Sequence, residues 1–183
     1  MAPVRYAFRS FDRQWIIPDH RLLSRARPRI WAHHSNAQIY ITAIERTAPK
    51  NGPAITLTGL IPDLDHYKGS VGGRVYPLWA DARATQTNLR VEALQLLSLT
   101  YGASVGPEDL FAYIAGVMAH PAFTARFAAD LIQPGLRLPL TADANLFWRA
   151  CALGREVVWL HSYGERFADP SAGRPKGPPR LPK

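Results

Sequence analysis

Apolar and polar residues alternate through residues 1–85 and then switch to a helical repeat, which divides the chain into a strand-rich part, 1–85, and a helical part, 86–169. Tyr6-Ala7-Phe8-Arg9-Ser10-Phe11 alternates aromatic with other residues, as a half-buried strand does. The short apolar run Trp15-Ile16-Ile17 stops at the turn-forming pair Pro18-Asp19. Gln38–Ile44 is β-branched and aromatic and gives the clearest strand. Ala54–Thr58 repeats its pattern after the turn Pro49–Pro53. Arg74–Trp79 extends the chain behind Gly72-Gly73, with Pro77 pointing to a sheet edge or strand end.

From Asn88 onward the apolar positions recur every three or four residues. Asn88 is placed to cap a helix over Leu89–Thr100 that stops at Gly102. Pro107 suits a first helical turn, Glu108 and Asp109 suit the positive helix end, and Leu110, Phe111, Ile114, Val117 and Met118 form one apolar stripe. Pro121 restarts the chain, with Phe123, Phe127 and Leu131 four residues apart, and Asp143 is placed to cap a third helix carrying Leu146, Phe147, Ala150, Val157, Val158 and Leu160. The expected fold class is therefore α+β: a small mixed or antiparallel sheet region in the N-terminal half, then a helical region. Residues 1–169 form the expected domain, and 170–183 a Pro-rich basic tail with five prolines, two glycines and no aromatic residue, read as a linker or frayed end.

Charge changes this picture more than composition does. With 47% hydrophobic residues the chain can bury a core, and no apolar run approaches the roughly 20 residues of a membrane helix. Met1–Arg13 has three arginines and no apolar h-region, unlike a secretory signal, and one cysteine, Cys151, suits a reducing compartment, so a cytoplasmic location is expected. The net charge of +8 is uneven. Residues 1–34 hold seven arginines against two aspartates, residues 35–170 are close to neutral, and the tail adds four basic residues. An arginine-dominated segment is what a phosphate backbone attracts, through counterion release and bidentate hydrogen bonds; a solvated basic face that aids solubility is the plain alternative. Tyr6, Phe8, Phe11 and Trp15 interleave with Arg5, Arg9 and Arg13. The aromatics are expected to pack inward, leaving the arginines as contacts, with an Arg9–Asp12 ion pair as the structural reading of Arg9.

Catalytic constellations are sparse. Cys151 and His161, if on one helix, stand about 15 Å apart along its axis, beyond the reach of a nucleophile–base pair, so Cys151 reads as a core residue. Asp63, Asp65 and His66 form an acidic–imidazole cluster that a metal-dependent hydrolase would need to converge, but a polar turn after Pro62 explains them more simply. Gly69–Arg74 has the glycine content of a phosphate loop without its GxxxxGK[ST] pattern and reads as a flexible turn.

Four blocks in order carry a resemblance: YAFRSFDRQW (Tyr6–Trp15), RARPR (Arg25–Arg29), GGRVYPLW (Gly72–Trp79), and the stretch Glu108–His161 with its segments EDLFAYIAGVMAHPAFTARFAADL, LRLPL and LFWRACALGREVVWLH. Together they resemble the C-terminal specificity (target-recognition) region of type ISP restriction–modification enzymes and related adenine-specific DNA methyltransferases. The resemblance implies a non-catalytic, DNA-reading portion of a bacterial restriction–modification enzyme. Its partners would be double-stranded DNA and an upstream methyltransferase domain or subunit. S-adenosylmethionine is then expected only in that upstream domain, with no cofactor and no metal in this chain, which has no Asn-Pro-Pro segment. The blocks start at the family's opening pattern, so a truncation or a split gene is expected to account for the missing catalytic body.

Under this reading Arg9, Arg13, Arg25, Arg27, Arg29 and Arg74 are the DNA-binding candidates, because arginine forks onto phosphate or onto guanine O6 and N7. The rival is a protein-interaction or docking module within a methyltransferase or helicase complex that reads no bases. A groove of arginines flanked by hydrogen-bonding side chains favours DNA, and a large exposed apolar helical face favours docking.

Overall fold

A computed structural model of the protein describes residues 2–44, 49, 51–67, 73–132 and 137–167. Two small antiparallel sheets occupy the first half and helices dominate the second, giving the expected α+β class.

Strands β1 (Val4–Arg9) and β2 (Asp12–Ile16) form a hairpin in which Arg5 lies opposite Trp15 and Tyr6 opposite Gln14. The register shifts between Ala7 and Arg9, and the turn holds Phe11 at φ 61°. A non-glycine residue in that region costs about 1 kcal/mol. The turn is tied down on both sides: Ser10 Oγ lies 2.6 Å from Thr56 Oγ1, and the Phe11 ring packs at a tilt against His161 with centroids 4.5 Å apart. Ala7 is buried, its N–H donating to Ile61 O (3.0 Å) and its carbonyl accepting from Asp63 N–H (2.8 Å). Phe8, Phe11 and Trp15 remain 41%, 44% and 62% exposed, so the expectation that the aromatics pack inward is wrong for these three; Tyr6 is half-buried. A two-stranded ribbon docked through the backbone of Ala7 leaves Phe8 and Trp15 without a packed layer over them, while Phe11 lies against His161.

The second sheet has the order β4 (Ile55–Thr58), β3 (Tyr40–Ile44), β5 (Gly73–Pro77), antiparallel throughout. Pro77 closes an edge strand, as its missing N–H requires. Nearly all of β3 and β4 is buried, yet the period-two pattern survives as chemistry. Ile39, Ile41, Ala43, Ile55 and Leu57 belong to the apolar core beneath the helices. Thr42, Thr56 and Thr58 alternate with them and are also buried. Thr42 Oγ1 sits 2.9 Å from His66 Nδ1, and Thr56 Oγ1 3.5 Å from His161 Nδ1. A short helix, α1 (Pro28–Ala32), with Pro28 in its first turn, begins at the end of the RARPR block, where no helix was expected.

The helices are α2 (Val91–Tyr101), α3 (Pro107–Met118), α4 (Pro121–Arg126), α5 (Ala128–Leu131) and α6 (Ala144–His161). α2 starts two residues after the expected Leu89, and Asn88 does not cap it: the Asn88 N–H donates to Leu78 O (2.9 Å), holding that residue beside β5. Gly102 ends α2 in the left-handed region (φ 64°) as expected. Asp109 receives the Gly106 N–H (2.9 Å) at the start of α3, and Asp143 receives the N–H groups of Asn145 and Leu146 (2.8 and 3.1 Å) at the start of α6. Phe127 separates α4 from α5 and packs at a tilt against Phe123 (4.9 Å).

α3 and α6 cross at unusually short range. A Cβ on Gly116 would stand 2.3 Å from Ala150 O, and one on Gly154 would stand 1.7 Å from Ala112 O, so both positions require glycine. Beside the crossing Phe147 stacks between Tyr101 and Tyr113 at 4.5 and 4.9 Å. Those tyrosine hydroxyls donate to Thr141 O and Pro139 O and so hold the segment leading into α6. Beyond α6 the chain inserts Arg166, 8% exposed, at the end of the sheet where β3 begins and β4 stops; it donates to Gln38 O (3.0 Å), Gly59 O (3.1 Å) and Ser35 O (3.4 Å). Gly59 leaves room for it, since a Cβ there would meet Arg166 Cγ and Cζ at 3.3 Å. No helix among the described residues is long and apolar enough to cross a membrane. Gly69–Gly72 and the tail 170–183 lie outside the described residues.

Candidate nucleic-acid interface

An open cleft of about 910 Å³ lies between three segments: the β1–β2 hairpin, the Leu22–Arg27 segment with Trp31 of α1, and the loop Ile61–Asp65. The hairpin supplies one wall because its strands alternate and Phe8 and Trp15 have no packed layer over them. Pro28 starts α1 directly after Arg27 and so fixes where the second wall turns.

Asp63 organises the floor. Its Oδ2 accepts from the Tyr6 hydroxyl (2.8 Å), its Oδ1 from Arg9 Nη1 (3.3 Å) and from Asp65 N–H (2.9 Å). Burial pushes the Asp63 carboxyl up, but the hydrogen bonds from Asp65 and Tyr6 and the charges of Arg9 and Arg27 together hold it below its ordinary value. The same burial, reinforced by the Asp63 carboxylate, raises the Tyr6 phenol, which therefore stays a hydroxyl donor. Arg27 donates through Nη2 to the Pro62 carbonyl and spans from the second wall to the floor. Two charged walls are thus tied to one carboxylate-bearing loop.

The six arginine candidates separate. Arg25 and Arg27 line the cleft, Arg25 exposed and Arg27 half-buried. Arg9 reaches the cleft floor through Asp63 and lies over the Phe8 ring at 4.1 Å; its partner is Asp63, not the expected Asp12, which instead accepts from Gln14. Arg13 points away, pairing with Glu165 (3.0 Å) and covering the Tyr163 ring at 3.7 Å. Arg29 is exposed on α1 and Arg74 on the edge strand β5. Arg5, one of the interleaved arginines left as contacts but not one of the six candidates, lies over Trp15 at 4.1 Å, on an open part of the hairpin. Its signal is the cross-strand register, which becomes visible only once the hairpin is paired. Such a stacked guanidinium is held in one orientation with N–H groups left for an anionic partner.

The alternative chemistries do not assemble. His66 turns inward to Thr42, and burial, with the nearby His161 charge, lowers its pKa to about 4. It does not converge with Asp63 and Asp65, and no group of three metal-ligating side chains occurs among the described residues. Cys151 is buried with its thiol donating to Asp109 O (3.3 Å), and burial pushes it up to about 12, so it is a core thiol as expected. His161 is engaged with Thr56 and Phe11 instead.

With this geometry in place, the family is defined by a match of residues 1–181 to the type ISP C-terminal specificity domain; the chain belongs to that family. Among curated proteins none matches the chain. Solved structures that share its fold include three of DNA complexes. One is a cryo-electron-microscopy structure of a DrdV–DNA complex (24% identity, TM-score 0.72, covering 87% of this chain and 16% of that one). Another is a nuclease-deletion mutant of the type ISP restriction–modification enzyme LlaGI in complex with a DNA substrate mimic (18%, 0.61, 87% and 11%). The third is the ATP-dependent type ISP restriction–modification enzyme LlaBIII bound to DNA (15%, 0.66, 87% and 11%). The chain spans about a sixth of the first of these proteins and about a ninth of the other two.

Proposed function

We propose that this domain recognises a target in double-stranded DNA on behalf of a longer restriction–modification enzyme, and that it carries no catalytic centre itself. The observation that carries this reading is the cleft in which Arg25 and Arg27 face Tyr6, Phe8 and Trp15 across a loop ordered by Asp63. Guanidinium groups supply phosphate contacts and the capacity to fork onto guanine, and exposed rings supply stacking or apolar contact to base edges. Membership of the specificity-domain family supports the same role, as do fold neighbours solved with DNA. In the finer form of this proposal, the modified base is adenine and the methyl donor, S-adenosylmethionine, is bound by an upstream methyltransferase domain or subunit. The enzyme works in the cytoplasm, where its substrate lies.

Within the cleft the roles divide. Arg25, exposed and without an ion pair among the described residues, contacts phosphate. Arg27 and Arg9, already engaged with Pro62 and Asp63, position the two walls. Trp15, held by Arg5, is the ring that meets DNA. Arg29 and Arg74 add exposed positive charge on α1 and β5, and Arg13 serves the hairpin's attachment to the residues after α6.

The test is a titration of the purified chain with random duplexes at two salt concentrations, followed by selection of bound sequences. Affinity that falls steeply with salt and a selected consensus support the reading. No binding at low salt would falsify autonomous DNA recognition and leave the docking module as the role.

A further inference from the structure

The outer face of α6 repeats in a way that burial does not explain. Phe147, Cys151, Gly154, Val158 and Trp159 point into the molecule. Leu146, Leu153 and Leu160 point out, 51%, 59% and 47% exposed, and each is separated from the next by seven residues. Single exposed leucines are ordinary, but a row of three at heptad spacing on one helix is not. Half-buried Ala150 and Val157 border this row on its inner side and pack against the chain's own core, so the row left open is the three leucines, at the seven-residue repeat of a helix that packs along another. At about 1.5 Å per residue the three leucines are spaced roughly 10 Å apart along the axis.

The charges beside the seam select the partner. Arg149 and Glu156 are both exposed, seven residues apart, and neither forms an ion pair among the described residues. If a second copy of α6 lies antiparallel with Leu153 on the two-fold axis, Leu146 of one copy meets Leu160 of the other. The same operation brings Arg149 beside Glu156 of the other copy, twice. A parallel, in-register pairing instead brings the two Arg149 residues level with one another, and likewise the two Glu156 residues. The stripe is thus self-complementary under the symmetry an isologous dimer demands.

We propose that the outer face of α6 is a homotypic docking surface, on which a second copy of this chain seats antiparallel through Leu146, Leu153 and Leu160 with reciprocal Arg149–Glu156 pairs. The inference stands on α6 alone and does not depend on what the cleft binds. One pair of helices of this length forms an interface at the small end of the range for specific association, so the dimer is reversible, with dissociation on the order of 100 µM.

Sedimentation velocity of the purified chain from micromolar to millimolar concentration tests it. The expected result is a monomer that shifts to a dimer as concentration rises. Leu153→Glu removes the shift, and Arg149→Glu or Glu156→Arg alone weakens association about tenfold. The double exchange R149E/E156R restores it. All three positions are exposed, so thermal unfolding of each variant checks that the fold is kept. In a second measurement, Leu153→Cys forms an intermolecular disulfide under mild oxidation, whereas Leu99→Cys on α2, 83% exposed in the parent chain, does not. A chain that stays monomeric at millimolar concentration, a dimer that survives Leu153→Glu, or a double exchange that fails to restore association overturns the proposal.

Discussion

The α3–α6 crossing and the β1–β2 hairpin draw on similar residue types and use them in opposite ways. At the crossing, aromatic rings stack inside the protein, backbones approach until only glycine fits, and the cation Arg155 is paired with Asp109 at 2.7 Å. On the hairpin the rings stay exposed, and guanidinium groups lie across them instead of beneath a second layer. Covering exposed aromatic surface with a stacked arginine contributes little to folding, on the order of 0.5–1 kcal/mol at an exposed site. It does hold cations and rings in fixed positions at the edge of a cleft. The crossing is scaffold, and the hairpin carries the exposed rings and cations that the proposed function assigns to DNA contact.

The sharpest way to break that comparison is to add one carbon at the crossing. Gly154→Ala places its methyl against the Ala112 carbonyl, so the helices must separate, and urea unfolding is expected to show a loss of more than about 3 kcal/mol. A loss below about 1 kcal/mol would mean the two helices are free to move apart and the scaffold is not close-packed. Next in size is Arg166→Ala, which leaves the carbonyls of Gln38, Gly59 and Ser35 without their donor; a loss of about 2–3 kcal/mol is expected by the same assay.

Acid probes the polar face of the sheet between the two regions. His66 has its pKa lowered to about 4 in the folded protein from an ordinary 6.5, and His161 and His34 are lowered in the same direction by burial. In each case the unfolded chain takes up a proton that the folded protein excludes. Stability is therefore full above pH 6.5 and declines as pH falls toward 4. For His66 the decline is about 2 kcal/mol between pH 7 and 5. His66→Gln should flatten that dependence, and an unchanged profile would show that His66 titrates freely in the fold.

Much of the scaffold could be read from the chain because its signals are local. Pro107, Asp109, Asp143 and Gly102 each act on a helix end within a few residues, and all four do so where expected. The β3 strand was equally plain, since Tyr40–Ile44 is buried from two sides and its residue types change little with context. The start of α2 was misplaced because the Asn88 backbone is taken by Leu78, a contact across the fold. The site was less legible for the same reason. Arg9 binds Asp63 and Arg166 binds Ser35, pairs separated by 54 and 131 positions, and no periodicity announces either. Aromatic alternation in Tyr6–Phe11 predicted a strand correctly and its outward direction wrongly, because direction depends on which layer lies above it.

Smaller effects sharpen the division at the cleft. Tyr6→Phe removes the hydroxyl that Asp63 accepts and is expected to lower stability by about 1 kcal/mol. Trp15→Ala, at a 62% exposed position, is expected to shift unfolding by no more than about 0.5 kcal/mol while weakening DNA binding by about tenfold. If Trp15→Ala unfolded the protein instead, the hairpin would belong to the scaffold.

The central claim is that the cleft, and not the chain's basic charge at large, holds DNA. The most direct measurement compares duplex affinity by fluorescence anisotropy for the parent chain, Trp15→Ala/Arg25→Ala, and Leu99→Gln on the exposed side of α2, each at two salt concentrations. The account predicts at least about tenfold weaker binding and a salt slope smaller by about one for the cleft pair, with Leu99→Gln indistinguishable from the parent. Equal affinity and equal slope in all three proteins would contradict it.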